Sequence, residues 1–325
     1  MRISLALPAG LATLFTLALP ASAQSNISVS GYLDAGVFRD FDKTNKAGTI
    51  QRSNLAFKGS EDLGGGLAAT FRLSTRFELD TGLPEGAGFK PYFQDESTVG
   101  LKGPWGQLRL GRALSAMWGQ DYLFDPWANF NRIASPAWQF WHALTPTDRA
   151  SNNGTAEYGR MANGVFYDSP EWSGFALHLS ASPERTTAPG RDGRAHSASL
   201  NYSRGPVTAM LAHERNGSGD RDVFVGGSYD FGALSVMGAY DVSRTGDTAD
   251  KSRAATLGAT YTVGATAFKA GYGRQRLNAA THNFASLGAE YALSKRTTVY
   301  ASLGQQRYAA VPSRTAFGVG MGHAF

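Results

Sequence analysis

Most of this chain alternates between apolar and polar residues with a period of two. In the clearest run, Phe71 and Phe77 fall on one side while Arg72 and Arg76 fall on the other. Successive side chains of a β-strand point to opposite faces, so this pattern predicts a strand with one apolar and one polar face. Similar runs, separated by glycine and polar turns, recur from Ile27 onward. The pattern therefore predicts an all-β protein.

The connections between the predicted strands alternate between long and short. Asp40–Gly48 and Thr81–Asp95 are long, whereas Glu61–Gly66 and Gly103–Gly106 are short. Alternation alone does not separate a soluble sandwich from a membrane barrel, because an apolar face could also pack against a second sheet. About sixteen strands with long connections at one end and short ones at the other are typical of a transmembrane antiparallel β-barrel. A barrel of that size encloses an aqueous channel.

One long segment, Ala113–Glu157, lacks this alternation. It carries four of the six tryptophans, Trp118, Trp127, Trp138 and Trp141. Long connections inside strand-rich proteins are uncommon and are usually functional. We predict that residues 113–157 form a loop that folds into the lumen of the barrel and narrows the pore.

The first residues have the three parts of a secretory signal peptide. Arg2 precedes the apolar stretch Ile3–Leu19, and the small residues of Pro20–Ala23 follow. This pattern predicts a signal peptide over residues 1–23, cleaved after Ala23, and a single barrel domain over residues 24–325. No later run is long and apolar enough for a transmembrane helix, so membrane insertion would require a closed barrel.

Composition narrows the class of protein further. The 325 residues are 42% hydrophobic with a mean hydropathy of -0.26, which excludes a helical membrane protein and suits a barrel with a wet interior. The net charge of +5 is spread along the chain without a basic run, so nucleic-acid binding is not expected. The absence of cysteine rules out disulfides and thiolate metal sites.

Several segments carry a resemblance to a known family. They are Gly31–Val37, Leu55–Leu67, Leu79–Gly82, Leu108–Arg112, Leu293–Thr297 and Gly322–Phe325. Together they resemble the general porins of Gram-negative outer membranes, from the first strand to the last. The resemblance implies a sixteen-stranded barrel in outer-membrane lipid, a homotrimer, and passive diffusion of small hydrophilic solutes without a cofactor. Gly322 stands where the family usually carries an arginine before the histidine.

Selectivity is expected at the narrowest part of such a pore. Alternation turns four arginines toward the lumen, and the resemblance implies that they form a basic ladder opposite the inserted loop. The predicted constriction consists of Arg52, Arg72, Arg76 and Arg109 on the wall, with Asp121 and Asp125 on the loop as acidic counterparts. Opposed rows of charge predict a transverse field, and the excess of arginine predicts a weak preference for anions.

Other functions stay open on the sequence. The aromatic residues of the loop could stack on a solute and make a substrate-selective channel, although packing against the wall is the favoured interpretation. An outer-membrane hydrolase or an adhesin is a further alternative. The six histidines are scattered without a metal-binding spacing, and no catalytic motif occurs. We therefore predict a channel without enzymatic activity, catalytic residues or a metal site.

Overall fold

The computed structural model describes residues 26–86, 91–144, 159–183, 194–217 and 219–325. The predicted signal peptide and the end of the long segment, residues 145–157, lie outside the described residues. Within the described part of the chain, no helix is long and apolar enough to cross a membrane.

Seventeen strand segments account for most of the described residues. In chain order they are β1 (Asn26–Arg39), β2 (Asn45–Gly48), β3 (Ser53–Gly64), β4 (Leu67–Phe77), β5 (Glu96–Gly103), β6 (Gly106–Leu114), β7 (Arg160–Asp168), β8 (Phe175–Ser182), β9 (Ala195–Arg204), β10 (Val207–Asn216), β11 (Arg221–Asp230), β12 (Leu234–Arg244), β13 (Lys251–Val263), β14 (Thr266–Leu277), β15 (Ala280–Ala292), β16 (Thr297–Tyr308) and β17 (Arg314–Ala324).

The strands form one antiparallel sheet that closes on itself. From β3 onward each strand pairs with the next along the chain, and β1 pairs with β17, where Tyr32 lies opposite Ala324. The main-chain N–H and C=O of Gly31 also bond to those of Phe325, both at 3.1 Å. Strands β2 and β3 both pair with β1 and share one position in the sheet. The predicted barrel with sixteen strand positions is therefore confirmed.

A buried carboxylate explains why the second strand position is split into two segments. Asp34 on β1 is fully buried and accepts hydrogen bonds from the main-chain N–H groups of Ile50 at 2.9 Å and Gln51 at 2.7 Å. The hydroxyl of Tyr300 donates to the same carboxylate at 2.6 Å. These contacts satisfy amide groups that have left the strand ladder. The freed carbonyl of Ile50 accepts from the N–H of Arg132 in the long segment at 3.0 Å.

The outer surface of the barrel is apolar. Val99, Leu257 and Val319 are exposed by 60%, 60% and 55%. Exposed aromatic side chains gather near the short connections: Trp105, Trp172, Phe175, Tyr229, Phe231, Tyr261, Phe268 and Tyr291. An apolar band bordered by aromatic residues is the surface that a membrane barrel presents to lipid.

Residues 115–144, between β6 and β7, contact the inward faces of the wall. The segment includes a 3-10 helix over Asp121–Phe124 and a short helix, α1, over Pro136–Phe140. The Ser135 side chain accepts the N–H of Trp138 at 3.0 Å, and proline occupies the first turn, two features that favour helix initiation at this point. The 3-10 helix contacts β11 and β12, while α1 contacts β13, β14 and β15.

The wall beneath this segment is built from inward-facing glycines. We call the following set the glycine seat: Gly226, Gly258, Gly271, Gly273, Gly288 and Gly304. A Cβ atom at the first would overlap Phe124, and one at the second would overlap Pro126. The last would meet the main-chain oxygen of Ile133. Absence of side chains at these positions lets the segment approach the wall closely.

Candidate functional site

The wall that the segment leaves bare, from β3 to β8, faces two connected cavities. The smaller one, about 380 Å³ and here called the narrow cavity, lies between this wall and the start of the segment. The larger one, about 690 Å³ and here called the wider cavity, extends toward the short connections. The two cavities share the lining residues Arg72, Glu96, Arg109, Gln120, Asp168 and His178. They therefore form one path along the bare wall, and its narrow part is the candidate site.

Two arginines at the junction of the cavities are held by carboxylates. Arg109 donates from Nη1 to Glu96 Oε1 at 2.7 Å and from Nη2 to Asp168 Oδ2 at 3.0 Å. The Nε atom of Arg72 lies 3.2 Å from Glu96 Oε2. The Arg72 side chain is 42% exposed, against 22% for Arg109. Ion pairing fixes both guanidinium groups on the lumen face, and Arg72 offers more of its surface to a passing ion.

Arg76 lies deeper in the same wall. Its Nε atom is 2.8 Å from Asp95 Oδ1, and its side chain is only 12% exposed. Asp95 also pairs with Arg160 at the start of β7, so one carboxylate joins two arginines. Arg76 lines the narrow cavity, although most of its side chain is engaged by the protein.

Arg52 is placed between the wall and the segment, outside the residues that line either cavity. Its Nε atom lies 3.2 Å from Glu85 Oε1, and its guanidinium lies 4.6 Å from the ring of Trp138 and 5.5 Å from that of Phe130. Contacts of this kind between a cation and aromatic faces are attractive. Arg132 of the segment also pairs with Glu85, at 3.3 Å, so this contact joins the segment to the preceding long connection.

Two acids between β4 and β5 stay ionised among these arginines. Burial alone would raise the pKa of Glu85, but Arg52, Arg76 and Arg132 hold it below its ordinary value. Burial would likewise raise the pKa of Asp95, while neighbouring arginines keep it well below its usual range. The negative charges beside the arginines are therefore present at neutral pH.

The two acids that the sequence analysis assigned to the constriction lie elsewhere. Asp121 is 1% exposed, and its Oδ2 atom is 2.8 Å from Nε2 of His142. Asp125 is 5% exposed and accepts the N–H groups of Trp127 and Asn129, both at 3.0 Å. Neither Asp121 nor Asp125, which the sequence placed at the constriction, is among the described residues that line the two cavities. Short acidic side chains in an irregular segment often bond its free amide groups, and sequence spacing does not reveal that role.

Most aromatic residues of the segment pack inside it or against the wall. Trp127, Phe140 and Trp141 are at most 5% exposed. Tyr122 and Phe130 are 41% and 38% exposed and line the narrow cavity. Burial therefore engages most of these aromatic side chains, and two of them face the cavity.

Sequence reasoning missed several charged lining residues. They are Lys58, Lys102, Asp95, Glu96, Asp168 and His178. The two-residue alternation that selected Arg72 also turns Lys58 inward, because these residues lie opposite each other across β3 and β4. Among the described lining residues of the two cavities, five lysines and arginines face three carboxylates. The path carries a surplus of positive charge.

Comparisons with known proteins agree with this architecture. A family model described as "Gram-negative porin" matches residues 9–310. Outer membrane porin protein 32 of Delftia acidovorans is 29% identical over 310 residues, covering 87% of this chain and 84% of that protein. Major outer membrane protein P.IB of Neisseria lactamica is 27% identical and covers 95% and 97% of the two chains.

Solved structures have the same fold. A structure described as an anion-selective porin from Comamonas acidovorans superimposes with a TM-score of 0.79 at 25% identity, covering 93% of this chain and all of that one. A structure of OmpT from Vibrio cholerae gives a TM-score of 0.71 at 15% identity and covers 93% and 99%.

Proposed function

The chain belongs to the Gram-negative porin family, and on that premise we propose that its outer-membrane channel passes small hydrophilic solutes with a weak preference for anions. The carrying observation is the surplus of cationic side chains along the described path, with Arg72 and Arg109 at its junction. A passing anion gains from this surplus, although the paired carboxylates limit the gain. The solved structure described as an anion-selective porin supports a preference for anions over cations.

Ion selectivity measured on single channels tests this proposal. Reversal potentials across a planar bilayer in a potassium chloride gradient should show a modest excess of chloride over potassium permeability. Arg72→Gln should reduce that excess, because one unit charge within about 4 Å of an ion in water is worth about 1 kcal/mol, or about fivefold. Arg253→Gln, which alters an exposed arginine on the outward face of β13, should leave the reversal potential unchanged. Cation preference in the unaltered channel would reject the proposal.

We infer that residues 113–157 act as the constriction loop, with Arg52, Arg72, Arg76 and Arg109 on the facing wall. Contacts of residues 115–144 with the inward faces of β11 to β16 support this role. Arg52 contributes by holding Trp138 and Phe130 in place, while the other three face the path. The acidic counterparts are Glu96 and Asp168 in this proposal, in place of Asp121 and Asp125.

Processing and assembly are further parts of the proposal. The signal peptide would be removed after Ala23, leaving residues 24–325 as one barrel domain in outer-membrane lipid. The family resemblance implies a homotrimer. A shallow apolar groove of about 760 Å³ on the outward side of β16, β17 and β1 supports a surface that packs against another barrel. Mass spectrometry of the mature protein and light scattering of the detergent-solubilised protein test these two points.

We propose a channel and not an enzyme, since the relatives are porins. A substrate-selective channel is the second candidate, and the exposed rings of Tyr122 and Phe130 favour it. Liposome swelling with sugars of graded size separates the candidates. General diffusion predicts rates that fall smoothly with solute size, whereas selective uptake predicts one favoured solute and loss of that preference in Tyr122→Ala. Solute hydrolysis without permeation would contradict both.

A further inference from the structure

A buried group of ionisable side chains joins the constriction loop to the wall. His142 of the loop is 3% exposed and lies between Asp121 of the loop and two wall carboxylates, Asp222 on β11 and Asp241 on β12. Its Nδ1 atom is 2.9 Å from Asp222 Oδ2 and 3.0 Å from Asp241 Oδ2. Its Nε2 atom is 2.8 Å from Asp121 Oδ2. Pore selectivity uses none of these groups, because all four are buried.

The protons available to this group do not balance its carboxylates. Nδ1 of His142 carries at most one proton, yet two carboxylate oxygens lie within 3.0 Å of it. Neither oxygen of Asp241, which is 0% exposed, accepts a hydrogen bond from the described residues. One imidazole therefore lies among three buried carboxylates, and Asp241 is the one that accepts no hydrogen bond from the described residues. Burying charge without compensation is costly, so a further cation would stabilise the arrangement.

We propose that this group binds one divalent transition-metal ion through His142 Nδ1, Asp222 Oδ2 and Asp241 Oδ2. These three atoms lie within 4.8 Å of one another, close enough to surround an ion with bonds of about 2.0–2.2 Å after small side-chain movements. Asp121 accepts the remaining ring N–H, which fixes the tautomer that presents Nδ1 to the ion. The ion neutralises both wall carboxylates.

The donor set selects the class of ion. One imidazole nitrogen with two carboxylate oxygens suits Zn²⁺ or Mn²⁺, whereas Ca²⁺ and Mg²⁺ prefer ligands that are all oxygen. Two ligands come from neighbouring strands of the wall and the third comes from the loop, so the ion would fasten the loop to the wall. The histidines are scattered in sequence, and the expectation of no metal site rested on that spacing alone. Folding brings His142 to carboxylates on two strands that follow much later in the chain.

Metal content of the purified full-length protein tests the proposal directly. The protein is exposed to Zn²⁺, dialysed, and assayed by inductively coupled plasma mass spectrometry before and after EDTA treatment. We expect one Zn²⁺ per chain, which EDTA removes, and a higher unfolding temperature with Zn²⁺ than with the same concentration of Ca²⁺ or Mg²⁺. Zinc content that stays far below one per chain, together with an unchanged unfolding temperature, would overturn the proposal.

Variants locate the ion. Asp241→Asn removes one charged ligand with little change of volume and should abolish stoichiometric binding. Asp168→Asn, which alters the carboxylate paired with His178 on the lumen side at 2.7 Å, is the matched control and should bind as the unaltered protein does. Equal zinc content in both variants would contradict the assignment. Should Asp241→Asn fail to fold, Co²⁺ loaded into the unaltered protein gives a second test: one Co²⁺ per chain with a ligand-field absorption band is expected, and the absence of stoichiometric Co²⁺ would contradict the proposal.

Discussion

The inside of the barrel has two unlike halves. Under the loop formed by residues 115–144, the wall from β11 to β16 carries glycines and small residues, and the loop places Phe124, Trp127 and Phe140 against them almost without exposure. On the bare half, from β3 to β8, arginines and carboxylates face the open path as ion pairs. Both halves obey the same period of two. What differs is which partner meets the inward side chains, protein on one side and water on the other.

The difference assigns stability and selectivity to separate places. The covered half gains from dense packing, where a change of one methyl group is felt. The bare half holds charges that are partly solvated, so exchanging one of them changes ion energies more than folding energies. Substitutions in the covered half should therefore change stability more than ion selectivity, and substitutions in the bare half should do the reverse. Four experiments test this, beginning with the one of largest effect.

Filling the glycine seat should have the largest effect. Gly226→Val places atoms where Phe124 now lies, and overpacking of a dense interior costs about 1–3 kcal/mol. We expect a lower unfolding temperature and a larger, noisier single-channel conductance as the loop moves away from the wall. Gly227→Val is the control, because the next residue faces outward with open space around it. Equal effects of the two substitutions would show that the loop does not depend on the seat.

Acid should weaken the contact between the loop and the bare half. The folded-state pKa of Glu85 lies below its ordinary value, so its contribution is complete above the unfolded pKa of about 4.3 and is lost as pH falls through the folded pKa. Thermal unfolding between pH 7 and pH 3 should show a loss of stability that is confined to the acid side. Glu85→Gln should be less stable at pH 7, and its stability should change less between pH 7 and pH 3. A loss of stability that begins near neutral pH would point to another group.

Removing one aromatic partner of Arg52 should have a smaller effect. Trp138→Ala deletes the ring 4.6 Å from the guanidinium, an attraction worth about 0.5–1 kcal/mol at a partly exposed site. The unfolding temperature should fall slightly and the conductance should fluctuate more, while the reversal potential stays constant. Trp138→Phe should restore much of the contact. A changed reversal potential in Trp138→Ala would mean that Arg52 itself reaches the path once the ring is gone.

The smallest effect is expected where the path widens. Lys102 lines only the wider cavity, where salt screens its charge over about 10 Å at 0.1 M, so Lys102→Gln should change the chloride to potassium permeability ratio by less than about twofold. The ratio for Lys102→Gln and for Arg72→Gln, measured in one salt gradient, gives the depth dependence of the field. A larger change for Lys102→Gln would place the selective region at the wide end.

The barrel and much of its bare wall could be predicted from sequence because both follow a local rule. Alternation turned Arg72, Arg76 and Arg109 inward, and the connection lengths indicated sixteen strand positions. Alternation shows which face of a strand a residue lies on but not how far its side chain reaches into the lumen. The position of Arg52 behind two aromatic rings could therefore not be predicted. The split of the second strand position depends on Asp34, whose partners come from distant parts of the sequence.

The covered half was harder to predict because it depends on contacts between residues that are far apart in the sequence. The glycine seat is spread over five strands, and an isolated inward glycine looks like any other glycine of a hairpin protein. The acids of the loop were assigned to the pore by residue type alone. Their burial follows from amide groups and from His142, which the path of the loop brings to them.

The bonds between Gly31 and Phe325 have a consequence for the order of assembly. They join residues that are far apart in the sequence, and all the remaining residue pairs between β1 and β17 do the same. Until β17 pairs with it, β1 presents unpaired amide and carbonyl groups along a free edge. The apolar outer surface then belongs to an open sheet and not to a closed barrel. Closure therefore depends on contacts of extreme sequence separation, which form slowly. The open sheet must be kept from pairing with neighbouring chains during that interval. Pairing of β1 with β17 removes the free edge and with it the risk of aggregation.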